Sequence, residues 1–265
     1  RCIRYADPTF SIFKGKLTDD EKGLLTTALS TLGSFEGLDG FGWLDDLSRR
    51  LGLEERQPTI LMSKNLIENR TLMAESFSAI QARSVINLKY KLFNTSDVRE
   101  VKISPYILKE YNRRWYIIGA AYDTGRILNF ALDRIISIKV LPGYDFALPP
   151  EDLSERFEDI IGVSYYEGAD VYKIIFWVSD KSAPYVETKP LHGSQIIIRG
   201  EREETIRSQY NVPLGGAIFS IECIENYELI RELCSFGGEL KVLAPEPIVD
   251  SVKKRVKSLY EVYDF

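Results

Sequence analysis

Residues 114–135 read RWYIIGAAYDTGRILNFALDRI, a pattern typical of two strands joined by a tight turn. Apolar and aromatic side chains fill residues 114–122 and return over residues 126–132, and Asp123-Thr124-Gly125 between them is typical of a hairpin turn. Further strands are predicted at residues 85–91, 99–103 and 135–141, with a short helix beginning at Ser104-Pro105. Five short strands with tight turns in about 60 residues predict a small barrel.

A second pattern begins after residues 142–150, which have the proline and glycine content of a linker. The order strand–helix–strand–strand–helix–strand predicts a ferredoxin-like sandwich, preceded by a short helix at residues 153–160. The predicted strands are residues 169–178, 195–199, 205–212, 217–223 and 239–243, and the predicted helices are residues 180–187, 226–234 and 247–263.

The first 82 residues are mainly helical in pattern. Thr18 and Glu21 form a capping box that opens a helix over residues 18–32. Helices at residues 43–51 and 65–82, a loop at residues 37–42 and a brief strand at residues 58–62 complete this part. The fold class is therefore predicted as α+β, with a helical segment (1–82), a small β-barrel domain (83–145) and a ferredoxin-like sandwich (146–265). Because residues 3–5 read as the end of a strand, we expect an N-terminal piece to precede Arg1.

Composition narrows the function classes. No apolar run approaches the roughly 20 residues that span a bilayer, so no membrane partner is expected. The cysteines are Cys2, Cys223 and Cys234, an odd number without a CxxC pair. This favours neither a disulfide framework nor a zinc site, and a reducing cytoplasm is expected.

Charge is unevenly distributed along the chain. The net charge is −5, which argues against a protein that coats nucleic acid. Residues 84–141, however, hold ten Lys/Arg against five Asp/Glu, so one basic module lies inside an acidic protein.

Catalytic signatures are missing from the sequence. His192 is the only histidine, so a serine or cysteine triad has a single candidate base and is nearly excluded, and metal catalysis lacks ligands for the same reason. Neither a G-x-S-x-G elbow nor a phosphate-binding glycine loop is present. The sequence therefore predicts a protein that is not an enzyme and has no cofactor and no metal.

The basic module carries the group of greatest interest. Arg113 and Arg114 precede the central strand, Arg126 begins the next one and Arg134 precedes the last. Strand alternation places Arg114 and Tyr116 on one face. Guanidinium groups beside aromatic rings suit a planar anionic ligand, because the guanidinium grips phosphate and the ring stacks on a base. The alternative interpretation is an antiparallel sheet with a charged outer face.

Several motifs resemble those of the WYL domain and of the extension that follows it. The name-giving Trp-Tyr-Leu stands here as Trp115-Tyr116-Ile117, within a segment that runs from residue 103 to residue 135. Residues 190–195, Pro-Leu-His-Gly-Ser-Gln, are similar to a Pro-x-His-x-Ser-Gln motif of the extension, and residues 238–245 are similar to its final strand. Residues 4–8 resemble the exit from a winged helix-turn-helix.

The resemblance implies a transcriptional regulator with an Sm/SH3-like barrel, a ferredoxin-like extension and an N-terminal winged helix that binds operator DNA. It further implies a basic pocket for a nucleic-acid-derived or nucleotide effector, and a homodimer. Only the last strand of the winged helix is expected in this chain, so specific operator binding by the chain alone is not expected. The positions that match the pocket are Ser104, Tyr106, Arg114, Tyr116, Arg126 and Arg134, with Arg113 and Asn129 as neighbours.

Alternatives remain open at two of these places. Asp133 beside Arg134 allows a structural ion pair instead of a ligand contact. His192 either caps a turn or contacts the ligand or the barrel. For the whole chain, two further hypotheses are a module that binds single-stranded nucleic acid without transcriptional output, and a nuclease or phosphodiesterase, which the missing metal ligands disfavour.

Overall fold

The computed structural model of the protein describes residues 18, 21–25, 46–47, 70–93, 97–150 and 153–263. The chain divides into two compact units, Arg1–Ser78 and Ala79–Phe265. The segments predicted at residues 3–5, 37–42 and 58–62 lie outside the described residues, as do most of the helices predicted at residues 18–32 and 43–51.

The helical prediction for the first unit is confirmed where the structure describes it. Residues 21–25 are helical, and the capping box is formed. The Thr18 Oγ1 accepts from the Glu21 N–H at 3.2 Å, and the Glu21 carboxylate accepts from the Thr18 N–H at 2.8 Å. Helix α1 (Arg70–Gln81) lies within the helix predicted at residues 65–82. Its buried side chains include Leu72, Met73, Ala74 and Ala79.

The second unit begins with a five-stranded antiparallel sheet in the order β4-β3-β2-β1-β5. The first strand pairs with both the second and the last, so the sheet has no edge at β1. The strands are β1 (Ile86–Lys91), β2 (Val98–Tyr111), β3 (Arg114–Ala121), β4 (Ile127–Ala131) and β5 (Ile135–Val140).

The predicted short helix at Ser104-Pro105 is wrong, because both residues lie inside β2. Proline has no N–H to donate to a ladder, and a register shift between Pro105 and Ile107 accommodates it. Gly119 on β3 pairs with Pro105 at this irregularity. The bulge lets one long strand take the place of a strand and a helix.

The second sheet is also antiparallel and has the order β7-β8-β6-β9. Four helices accompany it, so helices and strands alternate along this part of the chain. The strands are β6 (Val171–Val178), β7 (Ile196–Ile198), β8 (Ala217–Ile224) and β9 (Leu240–Ala244), and the helices are α2 (Ala183–Thr188), α3 (Glu201–Gln209), α4 (Tyr227–Ser235) and α5 (Glu246–Val262).

Two local predictions in this part are corrected. The strand predicted at residues 205–212 falls largely in α3, whose first turn carries Glu201, Glu203 and Glu204. Acidic side chains at a helix N-terminus are stabilised by the helix dipole, and this outweighs the weak strand pattern that follows. The helix predicted at residues 153–160 is reduced to a single 3₁₀ turn, Glu155–Phe157.

The core of the second sheet lies between its inner face and three of the helices. Phe176 on β6 and Phe219 on β8 are fully buried and stack with a ring-centroid separation of 5.8 Å. The side chains of Val186, Leu229 and Ile248, from α2, α4 and α5, belong to the same cluster. Burying several such side chains stabilises the fold by about 1.5–3 kcal/mol each before the entropy of ordering is subtracted.

Candidate ligand site

The connector, residues 141–170, links the two sheets and crosses the face of the first one. Ser104 is buried, and its Oγ accepts a hydrogen bond from the Ala147 N–H at 3.0 Å. The Tyr106 hydroxyl donates to the Leu148 carbonyl at 3.3 Å, and its ring meets Phe146 edge-on. Burial also raises the pKa of Tyr106. Two predicted ligand residues therefore hold the connector on β2.

Asn129 holds the connector further along its path. Its Nδ2 donates to the Val163 carbonyl at 2.6 Å. Asn129 pairs with Ile118 on β3, so this contact lies on the same face of the sheet as Tyr116. A third predicted ligand residue thus fixes the connector to β4.

Two predicted arginines converge on one aromatic ring. The guanidinium carbon of Arg134 lies 4.3 Å from the ring centroid of Phe93, and that of Arg114 lies 5.4 Å from it. The Phe93 side chain is 58% exposed, so the ring stays accessible to solvent. Arg114 also pairs with Asp133 at 3.1 Å, with both side chains partly exposed. We call Phe93, Arg114, Asp133 and Arg134 the arginine cluster.

Arg134 is fixed by the backbone of the preceding loop. Its Nε donates to the Lys91 carbonyl at 3.1 Å, and its Nη2 donates to the Leu92 carbonyl. Asp133, for which an ion pair with its neighbour Arg134 was left open as an alternative, pairs with Arg114. Arg134 therefore positions the loop that carries Phe93, whereas Arg114 is paired with the partly exposed carboxylate of Asp133.

Tyr116 adjoins the arginine cluster. Burial raises the pKa of its phenol, and a hydrogen bond from Arg114 acts in the opposite direction. Arg114 and Tyr116 lie two positions apart within β3 and therefore share one face, as the strand alternation predicts. The neighbouring Lys109, which pairs with Tyr116, has its pKa lowered by burial and lies over the Phe157 ring at 4.7 Å.

The remaining two arginines lie at turns. Arg113 has a φ of 65°, and its N–H donates to the Glu110 carboxylate at 2.7 Å, which closes the turn between β2 and β3. Arg126 is exposed and follows the turn at the other end of β3, where its N–H donates to Thr124 Oγ1 at 3.4 Å. The structure thus brings Arg114, Tyr116 and Arg134 together and leaves Arg126 at the opposite end of the strand.

Two family models match the chain. The WYL domain model matches residues 72–140, and the WCX domain model matches residues 170–260. The chain contains a WYL domain followed by a WCX domain. The WYL domain includes the five-stranded sheet and the arginine cluster, and the WCX domain includes the four-stranded sheet.

Solved structures that resemble this chain share little sequence with it. Proteasome accessory factor B/C (PafBC) of Arthrobacter aurescens is 17% identical, with a TM-score of 0.31. The match covers 94% of this chain, but this chain spans only 37% of the PafBC chain. The crystal structure of a CRISPR Cas-related protein is 12% identical, with a TM-score of 0.46, and the match covers 95% of this chain and 75% of that one. No curated protein sequence gives a significant match.

His192 lies in the WCX domain, in the loop between α2 and β7. Its Nδ1 is 2.8 Å from Ser194 Oγ, and the Gln195 N–H donates to its carbonyl at 3.0 Å. Ser194 Oγ in turn donates to the Glu222 carbonyl and accepts from the Glu222 N–H. The Gln195 side chain ties this loop to α2 through the Val186 carbonyl. These contacts are those of a turn cap, one of the two roles considered for His192.

Three side chains near the site were missed by the sequence interpretation. Phe93 precedes a polar turn and has no periodic pattern around it. Glu228 looks like an ordinary first-turn acid of α4 and yet is buried. Arg231 reaches from α4 of the WCX domain to the Tyr111 hydroxyl of the WYL domain, at 3.2 Å. Only contacts between residues far apart in sequence identify the last two.

The cysteines of the WCX domain show no sign of reactivity. Cys223 is buried, and burial raises the pKa of its thiol to about 11, so the thiolate is scarce at neutral pH. Cys234 is half-buried, and burial raises its pKa as well. Across the described ranges, no group of three or more His, Cys, Asp and Glu side chains could hold a metal ion. Within the same ranges, no helix has the length and apolar character needed to cross a bilayer.

Proposed function

We propose that this chain is the effector-sensing and oligomerisation portion of a transcriptional regulator. Its WYL domain binds an anionic nucleic-acid-derived or nucleotide ligand, and the bound ligand alters DNA binding by a winged helix N-terminal to the chain. The chain itself is not an enzyme, and it acts in the cytoplasm. The domain scheme behind this proposal is 1–82 for the remainder of the winged helix and a helical linker, 83–145 for the WYL domain and 146–265 for the extension.

The arginine cluster is the observation that carries the proposal. Arg114 and Arg134 lie against one exposed phenylalanine ring, Phe93. A guanidinium group binds phosphate with two parallel hydrogen bonds, and an aromatic ring stacks on any base. Together they form a site for a nucleotide unit in which the phosphate displaces Asp133 from Arg114.

The strand topology supports the two finer fold assignments. In the WYL domain the first strand pairs with the second and the last, as in an Sm/SH3-like barrel. In the WCX domain the order β7-β8-β6-β9 is that of a ferredoxin-like sandwich, whose second and third strands lie together at one edge.

A homodimer is part of the proposal, and an apolar face of the WCX domain supports it. A groove of about 1520 Å³ runs between α4 and α5 and is lined by Ile230 and Leu233 from α4. On α5 the groove is lined by Val256 and Leu259, which are 53% and 58% exposed. Apolar patches of this kind mark protein–protein contacts.

The charges of α5 favour a second copy of the chain as the occupant of this groove. Basic residues lie in the middle of the helix at residues 253–255 and 257, and Glu261 follows. If two α5 helices pair in antiparallel fashion about a two-fold axis near residues 256–259, Lys254 of one copy lies beside Glu261 of the other. An isologous contact of this kind is self-complementary in both charge and apolar surface.

The test is fluorescence anisotropy with labelled short single-stranded DNA and with linear and cyclic dinucleotides, at two salt concentrations. We expect Arg114→Ala, alone and combined with Arg134→Ala, to weaken binding at least tenfold. Arg202→Ala, an exposed arginine on α3, is the matched control and leaves binding unchanged. Circular dichroism checks the fold, because Arg134 also holds a loop.

The outcomes separate the alternatives. A salt dependence whose slope grows with oligonucleotide length favours a module that binds single-stranded nucleic acid, whereas a small constant slope favours a nucleotide effector. Turnover of any oligonucleotide with added divalent metal would establish an enzyme instead. If no ligand of this class binds the unmodified chain, the proposal fails.

A further inference from the structure

Glu228 is a buried acid with one unpartnered oxygen. It is the second residue of α4, and only 7% of it is exposed. Its Oε1 accepts a hydrogen bond from Ser164 Oγ at 2.9 Å, whereas its Oε2 has no hydrogen-bond partner among the residues that the structure describes. Leaving a buried polar atom unpaired costs about 1–3 kcal/mol, more for a charged group, so such an atom calls for an explanation.

The position of Glu228 is fixed by the connector. Asn129 of the WYL domain donates to the Val163 carbonyl. Asn226 of the WCX domain donates to the Ile161 carbonyl at 2.8 Å and to the Ser164 carbonyl at 3.0 Å. Gly162 packs directly on the acid, since a Cβ there would lie 2.6 Å from Glu228 Cγ. The carboxylate is therefore held where the two domains meet.

Arg231 and Tyr111 link this carboxylate to the arginine cluster. Arg231 follows Glu228 by three positions on α4 and donates to the Tyr111 hydroxyl at 3.2 Å. Tyr111 pairs with Arg114 across β2 and β3, and Tyr116 lies two positions further along β3. Burial raises the pKa of both phenols, and the charge of Glu228 raises them further. The charge of the acid therefore acts on both phenols. A ligand held by either arginine approaches a hydrogen-bond acceptor as well as a cation.

We propose that Glu228 determines ligand specificity, its Oε2 accepting a hydrogen bond from the exocyclic amino group of a nucleobase while Arg114 and Arg231 hold the phosphates. This inference rests on the proposed function, because it assigns the base selectivity of the same ligand site. Because Oε2 is buried, a base reaches it only when the junction between the two domains opens.

The chemistry of a carboxylate explains the preference for an amino group. An ionised carboxylate only accepts hydrogen bonds, and it pairs well with the amino groups of bases. A purine with a hydrogen or a keto oxygen at position 6 has no donor at that position for Oε2. Sites built around a buried polar group discriminate strongly against ligands that cannot pair with it.

The change Glu228→Gln is expected to reverse this preference. The Ser164 hydroxyl continues to donate to the side-chain oxygen that replaces Oε1. The NH₂ of the amide therefore lies where Oε2 lies in the unmodified chain. That group donates hydrogen bonds and favours a keto oxygen. Arg231→Ala is the contrasting variant, since losing a phosphate contact weakens all ligands equally.

The experiment compares three tetradeoxynucleotides that differ only at position 6 of the purine: adenine, unsubstituted purine and hypoxanthine. By anisotropy, the unmodified chain is expected to bind the adenine tetramer roughly tenfold more tightly than the purine tetramer, the ratio that one hydrogen bond to a charged group supplies. The Glu228→Gln chain is expected to lose this ratio and to favour hypoxanthine. Thermal melting checks that this variant is folded.

The outcomes distinguish this inference from the proposed function. Equal binding of the adenine and purine tetramers by the unmodified chain overturns the role of Glu228 and leaves the proposed function standing. That comparison needs no variant, so it holds even if Glu228→Gln does not fold. An adenine preference that persists in a folded Glu228→Gln chain also overturns the inference. Failure of all three tetramers and of the dinucleotides to bind overturns both.

Discussion

Gly119 shows how closely two strands approach at a single residue. It pairs with Pro105 at the bulge of β2, and a Cβ on Gly119 would lie 2.9 Å from the Pro105 Cα and still closer to the Ser104 carbonyl oxygen. Backbone atoms cannot yield as a flexible side chain can. We therefore expect Gly119→Ala to lower the free energy of unfolding by about 1–3 kcal/mol in urea denaturation.

The matched control for this change is Gly238→Ala, where a Cβ meets no atom within 4 Å. It should stay within about 0.5 kcal/mol of the unmodified chain. Equal stability of the Gly119→Ala chain would mean that the bulge relaxes and that the close approach does not constrain the sheet.

At the same scale, the sequence predicts the face of a strand on which a side chain lies better than it predicts the contacts of that side chain. Arg114 and Tyr116 are neighbours on one face, as their spacing within a strand requires. The resemblance to the WYL pocket predicts Ser104 as a ligand residue and Asn129 as its neighbour. Their partners in the structure, Ala147 and Val163, are 43 and 34 positions away. Local periodicity in the sequence does not predict contacts between residues this far apart.

Among the elements, α4 is the one most dependent on a single cap. The Asn226 side chain accepts from the Leu229 N–H at 2.8 Å and donates to two carbonyls of the connector. Asn226→Ala removes the cap and leaves buried connector carbonyls unpaired. We expect this change to lower the free energy of unfolding by about 2–4 kcal/mol.

Urea denaturation with Asn211→Ala as control checks this expectation. Asn211 is exposed, so its replacement should cost less than about 0.5 kcal/mol. A loss below 1 kcal/mol for Asn226→Ala would show that water replaces the side chain without penalty, and that the connector is not fixed through α4.

Element types followed from sequence wherever a local signal was strong. The hairpin of β3 and β4 and the amphipathic α5 are where turn residues and helical spacing predict them. The errors fall where two signals compete. Pro105 is typical of a helix start but lies in a strand, because a bulge removes the need for its missing N–H. Residues 205–212 have a weak strand pattern, whereas Glu201 begins an acidic first turn of α3.

For the whole molecule, the dimer proposed through α5 gives a direct prediction. Leu259→Glu places a charge in the apolar groove and should convert a dimer to a monomer in sedimentation velocity. Leu214→Glu is the control, because Leu214 is 99% exposed and does not line the groove. The unmodified chain sedimenting as a monomer at all concentrations, or the Leu259→Glu chain remaining a dimer, would contradict this interface.

The connector acts as a tethered competitor for the face of the WYL domain that it covers. Because it belongs to the same chain, its effective concentration over Ser104, Tyr106 and Asn129 is on the order of millimolar or higher. A free ligand that needed these residues would have to bind them tightly enough to displace the connector at that effective concentration. A small metabolite with a few weak contacts cannot do so, whereas a ligand already anchored by the arginine cluster would itself be locally concentrated. Under the proposed function, the connector would therefore favour ligands that attach at several points.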